Sequence, residues 1–299
     1  MVNATTFTAN GEYLVGGTTK DVQVWRVKDG ERVATMPMEH KVVCVAASRD
    51  GRWIAAGTRV GELVWDTTTN EQVFADRSGS AIYDLDFSPD STRLVSATYG
   101  PICTATIWDI ASRQKVQTLD HDGPVDAAKY SPQGDRIATA TSHSVWVWDS
   151  GNGGLLVDIK VQVKGRHSLV WCKNHLFVQT NDSKIKQIDG ATGSIILEWL
   201  VPEAYPCIAL PQHGNFIACS AKKTITLWDT ATRSQFGLIQ HTHDIPSIAC
   251  SSDGQLLAIP SEKKIIVKDL SSVIFCSVSV RSVSCLYYIS VSPRISGTV

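Results

Sequence analysis

No run in this 299-residue chain approaches the roughly 18 consecutive apolar residues that a membrane-spanning helix needs, so no candidate span exists. The opening stretch MVNATTFTANGEYLVGG carries neither a basic leader nor an apolar signal core, and a cytoplasmic protein is expected, with the nucleus as the other compartment. Charge is also scarce. Charged residues make up 19%, and 28 Lys and Arg against 29 Asp and Glu leave a net charge of −1. That balance argues against a main role in coating nucleic acid or an anionic membrane, so no nucleic-acid partner and no membrane insertion are expected. The eight cysteines include no C-x-x-C pair. Cys44, Cys207, Cys219 and Cys250 lie in β-like apolar runs and read as small buried side chains. The tripeptides NAT from Asn3 and NDS from Asn181 match a glycosylation acceptor, and without a secretory signal both read as chance.

Catalytic signatures are missing as well. The segment GGTTK (Gly16 to Lys20) lacks the spacing of a phosphate loop, and neither a G-x-S-x-G elbow nor H-E-x-x-H occurs. HTHD (His241 to Asp244) sets two histidines on one face of an extended chain but has no third ligand. No metal and no cofactor is expected.

What the chain does have is a period. Trp25, Trp65, Trp108, Trp148 and Trp228 lie at spacings of 40, 43, 40 and 80 residues. The long gap hides KIKQIDGATG, with Ile188 in the Trp slot and Asp189 after it, and IIVKDLSS repeats this with Lys268 and Asp269. The following slot reads Arg26, Asp66, Asp109, Asp149, Asp189, Asp229 and Asp269. A second column, 14 residues upstream of most Trp slots, reads Gly11, Gly51, Gly134, Gly214 and Gly254. Each unit alternates short β-branched runs with turn chemistry, giving four antiparallel strands per unit and no segment of helical periodicity beyond a turn or two. One such sheet cannot bury both its faces, so seven of them must stack around an axis.

Two columns in register over seven units resemble the tryptophan-aspartate (WD) repeat family, and the resemblance implies an all-β, seven-bladed β-propeller of four-stranded antiparallel blades. Intact pairs stand at Trp65–Asp66, Trp108–Asp109, Trp148–Asp149 and Trp228–Asp229, with units of about 2–40, 41–80, 81–124, 125–167, 168–205, 206–244 and 245–280. The family places the Trp in a buried hydrogen-bonding set with a His, a Ser or Thr and a turn Asp. The His is matched by His121 in LDHDGPV and His241 in IQHTHDI, whereas the turn Asp is matched only by Asp21, so most sets are expected to be incomplete. The first unit begins at the N-terminus, leaving no spare strand to complete another blade. The seventh outer strand is therefore expected from VIFCSVSV, residues 273–280. The tail, 281–299, reads as an extra edge strand, the stump of an eighth repeat, or a disordered or misassigned end.

The resemblance further implies a docking face around the channel mouth, formed by turns between second and third strands and by links between blades. Those turns carry Arg59, Tyr99, His143, Lys223 and Lys264, and the links carry Arg77, Arg166, Tyr205 and His243. The three extra residues of the third unit fall in TYGPIC, where Tyr99, Pro101 and Ile102 form an apolar protrusion. The expected function is a non-catalytic scaffold or adaptor for protein or peptide partners, a monomeric propeller within a larger complex. One alternative is a repeat domain of a signalling or ubiquitin-ligase assembly, although the family's W-D-x-R adaptor signature is absent. Another is a propeller enzyme, for which Asp84, Asp86 and Asp126 are the only acidic candidates on inner runs.

Overall fold

The computed structural model describes residues 1–100, 103–163, 165–201, 207–261, 264–271, 281–282 and 285–290. Blade 4 shows how one unit folds. Its strands Ala127–Tyr130, Arg136–Ala140, Ser144–Asp149 and Leu155–Lys160 pair in chain order, with Ala128 opposite Thr139 and Thr139 opposite Trp146. The first turn is closed by Ser131, whose hydroxyl lies 2.8 Å from Asp135 Oδ1 and accepts the Arg136 N–H at 3.1 Å. Gly134, at φ 79°, supplies the left-handed residue this turn needs, which accounts for the glycine column.

The Asp column has a different cause. Asp149 Oδ1 accepts the N–H groups of Gly151 and Asn152, both at 2.9 Å, and its carbonyl accepts that of Gly153 at 2.8 Å. Asp189 and Asp229 bind the N–H groups two and three residues on in the same way, and Asp269 binds that of Ser271 at 2.8 Å. Each Asp therefore closes the turn into the outer strand. That is why Asp189 and Asp269 persist where Ile188 and Lys268 have replaced Trp. In all seven blades the Trp slot also marks a β-bulge, where the pairing with the outer strand shifts register.

The sheets form a seven-bladed β-propeller, and its core lies between blades. Each of seven apolar clusters among the described residues draws on two adjacent blades. Val95, Ala97 and Ile107 of blade 3, for example, meet Val125, Tyr130, Ile137 and Trp148 of blade 4. The seventh cluster closes the ring, packing Val2, Leu14 and Trp25 of blade 1 against Ala258, Ile265 and Val267 of blade 7. Trp25 reaches this seam only because position 16 is Gly: a Cβ there would stand 2.8 Å from the indole. At the same junction Ser252 Oγ donates to the Ala9 carbonyl at 2.8 Å.

One strand departs from expectation. In six blades the Trp-slot residue pairs with the residue seven positions on, as Trp148 does with Leu155 and Trp228 with Gln235. In blade 7, Lys268 pairs instead with Cys285, so the outer strand is Cys285–Ser290 and not 273–280, a segment outside the described residues. On the way, Arg281–Ser282 pairs in parallel with the outer strand of blade 6, Gln235–Gln240, which becomes a five-stranded sheet. The longer route lets one segment touch two blades.

The buried hydrogen-bonding set forms most fully in blade 4. Trp148 Nε1 donates to Thr139 Oγ1 at 2.9 Å, and Thr139 Oγ1 lies 2.7 Å from His121 Nε2. His121 Nδ1 lies 2.9 Å from the Leu119 carbonyl and must carry its proton, so Nε2 accepts from Thr139. Burial pushes the imidazole down to about 4, keeping the neutral form this relay needs. His121 is also stacked on Trp146 at 4.7 Å.

Other blades differ. Trp228 Nε1 donates to Thr226 Oγ1 at 2.8 Å. In the link before blade 7, His241 Nδ1 meets the His243 carbonyl at 2.8 Å, and its Nε2 has no partner among the described residues. Blade 6 has Cys219 in the position of Thr139, so Thr226, two residues back on the same strand, satisfies its indole, while blade 7, which follows His241, has Ile259 and Lys268 in the positions of Thr139 and Trp148. In blade 3, Trp108 Nε1 donates to Ser96 Oγ at 3.2 Å, and the link before the blade has no His. Facing that pair is Glu62 of blade 2, 1% exposed. Burial pushes its carboxyl up to about 8, while Ser96 and Trp108 lower it again.

Two measurements follow from these sets. Thr139→Val leaves the His121 and Trp148 nitrogens unpaired and lowers unfolding free energy by about 2–3 kcal/mol in denaturant titration, whereas Thr139→Ser stays close to wild type. Glu62 contributes stability that is complete below its unfolded value of 4.5 and lost as pH rises through about 8. Glu62→Gln, which imitates the protonated form, therefore melts higher than wild type above pH 8 and shows a flatter stability profile from acid to alkaline pH. Parallel profiles for the two proteins would contradict this.

Candidate functional site

The seven inner strands surround a central channel, and the elements around its mouth bring together residues from most blades. The bulge in the inner strand of blade 3, Ala81–Phe87, organises one side. Asp84 pairs with Ala97 and Ile82 with Thr98, so Tyr83 is the extra residue whose ring is turned out of the ladder. That ring stacks on Tyr99 at 4.3 Å and 17°, and the Arg166 guanidinium lies over it at 4.1 Å. Tyr83 thus lies between an exposed aromatic ring from its own blade and a cation from the link between blades 4 and 5. Such a contact contributes about 0.5–1 kcal/mol at an exposed site, and it holds a long side chain in one orientation. Among the described residues Arg166 has no ion-pair partner within 4 Å. The nearby Asp126 carboxyl is raised by burial and lowered by Arg166.

Deeper in the channel the acidic groups already have structural roles. Asp84, 2% exposed, accepts the Leu85 N–H at 3.0 Å, the Ala128 N–H at 3.1 Å and Lys129 Nζ at 2.7 Å. Asp86 accepts the Tyr130 N–H at 2.8 Å. Burial pushes Asp86 up to about 6, with Lys129 and the Tyr130 N–H drawing it back. These bonds tie the inner strands of blades 3 and 4 together across a gap with no continuous ladder. Burial lowers His167, whose Nδ1 is 3.7 Å from Asp84. Among the described residues no three His, Cys, Asp or Glu side chains are placed to hold a metal.

The mouth is a depression of about 410 Å³, with Lys41, Arg59 and Arg166 among its walls. A groove of about 530 Å³ beside it holds Lys223 and His243, and the two share Ile245 and Pro246. The residues expected on the docking face therefore fall into groups. Arg59 and Arg166 line the mouth, Tyr99 joins it through Tyr83, and Lys223 and His243 lie in the adjoining groove. Arg77 stands apart on the rim, 3.7 Å from Glu39. His143 is an exposed turn residue whose N–H bonds Thr141 Oγ1 at 3.4 Å. Lys264 opens the third strand of blade 7, Lys264–Asp269, and is half-buried there. Pro101, Ile102 and Tyr205 lie outside the described residues. Sequence reasoning missed Tyr83 and Lys41. The signal for Tyr83 was faint: IYDLDF breaks strict alternation by one residue, as a bulge requires.

Comparison with known proteins meets this geometry directly. The model of the WD domain, G-beta repeat, matches residues 69–109, 113–149 and 205–229. The chain carries WD repeats. All three matches end on a Trp-Asp pair, and the first two begin ahead of the preceding blade's outer strand, so the sequence repeat is out of phase with the blade. The propeller is 22% identical over 279 residues to WD repeat-containing protein 18 of Danio rerio, covering 80% of this chain and 63% of that protein. It is 23% identical over 238 residues to the transcriptional corepressor LEUNIG_HOMOLOG of Arabidopsis thaliana, covering 78% and 25%. Small ribosomal subunit protein RACK1z of Oryza sativa subsp. japonica is 38% identical over 85 residues, 28% of this chain and 25% of that one. The propeller thus spans less than two thirds of these relatives.

Proposed function

We propose that this propeller is a non-catalytic scaffold or adaptor whose channel-mouth face docks protein or peptide partners. The observation that carries the reading is the Tyr99–Tyr83–Arg166 stack, since an aromatic pair holding an arginine is the kind of anchor that dominates interface energetics. WD-repeat propellers generally mediate protein interactions, which supports the same reading. A catalytic role is disfavoured because the channel carboxylates Asp84 and Asp86 are committed to bonds between strands. The short span relative to its relatives supports the repeat part of a larger assembly as the second reading, in the cytoplasm or nucleus.

Affinity capture from cell extract with three baits tests the face. The baits are the wild-type chain, Tyr83→Ala with Arg166→Glu, and Gln133→Glu in an exposed turn on the opposite side of the disc. Partners are expected to disappear from the second bait alone. The same partners on all three baits would overturn the assignment.

A further inference from the structure

Five cationic side chains converge on one surface of a protein whose total charge is −1. Lys41, Arg59 and Arg166 line the mouth, and Lys222 and Lys223 line the groove that shares Ile245 and Pro246 with it. Among the described residues two acids, Asp126 and Asp244, lie along the same walls. The cations come from four separate places in the chain: the links before blades 2 and 5, and the turns inside blades 2 and 6. No local run of basic residues produces the pattern; the ring assembles it.

The surroundings decide what such a trough accepts. The Arg166 guanidinium lies over the Tyr83 ring at 4.1 Å on the wall of the mouth, and its planar fork of N–H donors suits a carboxylate or a phosphate. Between the two cationic ends the shared wall is apolar, and Val2 from one groove and Val42 and Val43 from the other extend it. Low-dielectric walls strengthen the attraction of the cations beside them. A nucleic acid would require a long continuous cationic track; here the positive charge is broken by an apolar step and two acids. A segment alternating negative and apolar side chains fits the layout better.

We infer that the trough from the Lys222–Lys223 turn to Arg166 binds an extended anionic peptide, with negative side chains at both ends and an apolar residue seated on Ile245 and Pro246. This rests on the reading of the channel mouth as a docking face and adds the charge class of the partner. The negative groups can be carboxylates or phosphoserines, and the test separates the two.

Three fluorescein-labelled peptides serve as probes: one alternating glutamate and serine around a central leucine, the same peptide with its serines phosphorylated, and a version with lysine for glutamate. Fluorescence anisotropy with the full chain is expected to show binding of at least one anionic peptide, weakening as salt is raised, and none of the lysine peptide. Binding by both anionic peptides assigns the site to carboxylates; binding by the phosphorylated one alone assigns it to phosphate. Arg59→Glu with Lys223→Glu, both exposed, is expected to weaken binding by at least about tenfold, while Lys115→Glu on the outer rim leaves it unchanged. Failure of both anionic peptides, or equal binding by the double variant, overturns the inference. If the Tyr83→Ala and Arg166→Glu bait still loses its cellular partners in that case, the docking face stands and only its anionic ligand falls.

Discussion

Every blade of this protein has two apolar faces, and nothing within a blade can cover both. That constraint generates the rest. The seven clusters each join two neighbours, so a blade is stable only in the company of the blades on either side. An open array would leave its two end faces bare, as terminal repeats of solenoids do unless capped. Here the two end faces meet each other, Leu14 and Trp25 against Ile265 and Val267, and among the described strands none is exchanged between the ends to achieve it. The hydrogen bonds at this seam are few, so apolar packing does most of the closing.

The same constraint explains which repeated residues can vary. Trp148 fills an interblade space and anchors a relay, yet Ile188 and Lys268 occupy its slot elsewhere, because neighbouring side chains can take over apolar cover. Asp at the next position closes a turn through backbone N–H groups, and no packing can replace that chemistry. It therefore persists through six units while Trp is lost from two. Polar groups buried between blades follow individual solutions: a neutral His121 relay in blade 4, a protonated Glu62 beside the Trp108 pair in blade 3, and a Trp228 satisfied by its own strand in blade 6.

Much of this was legible in the sequence, and the parts that were not share a physical cause. Period, strand order, blade number and the scaffold role of Trp-Asp follow from local pattern, since each depends on residues close in the chain. Tyr83 and Glu62 were not legible because their importance lies in partners from another strand or blade: Tyr99 and Arg166 for one, Trp108 for the other. His121 and His241 occupy the same repeat position, yet only one reaches a Thr hydroxyl, because the blade after His121 carries Thr139 and Trp148 whereas the blade after His241 carries Ile259 and Lys268 in those positions. The outer strand of blade 7 was misplaced for another reason. Residues 273–280 and 285–290 are both strand-like runs, and periodicity favoured the nearer one; the chain instead takes a longer route along blade 6. Around the channel mouth, several positively charged and aromatic positions were legible one by one, while their convergence on one trough required the closed ring.

If closure by packing holds the molecule together, damage at the seam must be felt by the whole ring. Scanning calorimetry of wild type, Leu14→Ala at the junction of blades 1 and 7, and Leu176→Ala between blades 4 and 5 tests this directly, since both leucines are fully buried. The account predicts one transition in each protein, lowered in both variants to a similar degree by a loss of about 2–5 kcal/mol. A separate early transition in Leu14→Ala, with the main one unmoved, would show that blades 2 to 7 stand without the seam and would contradict it.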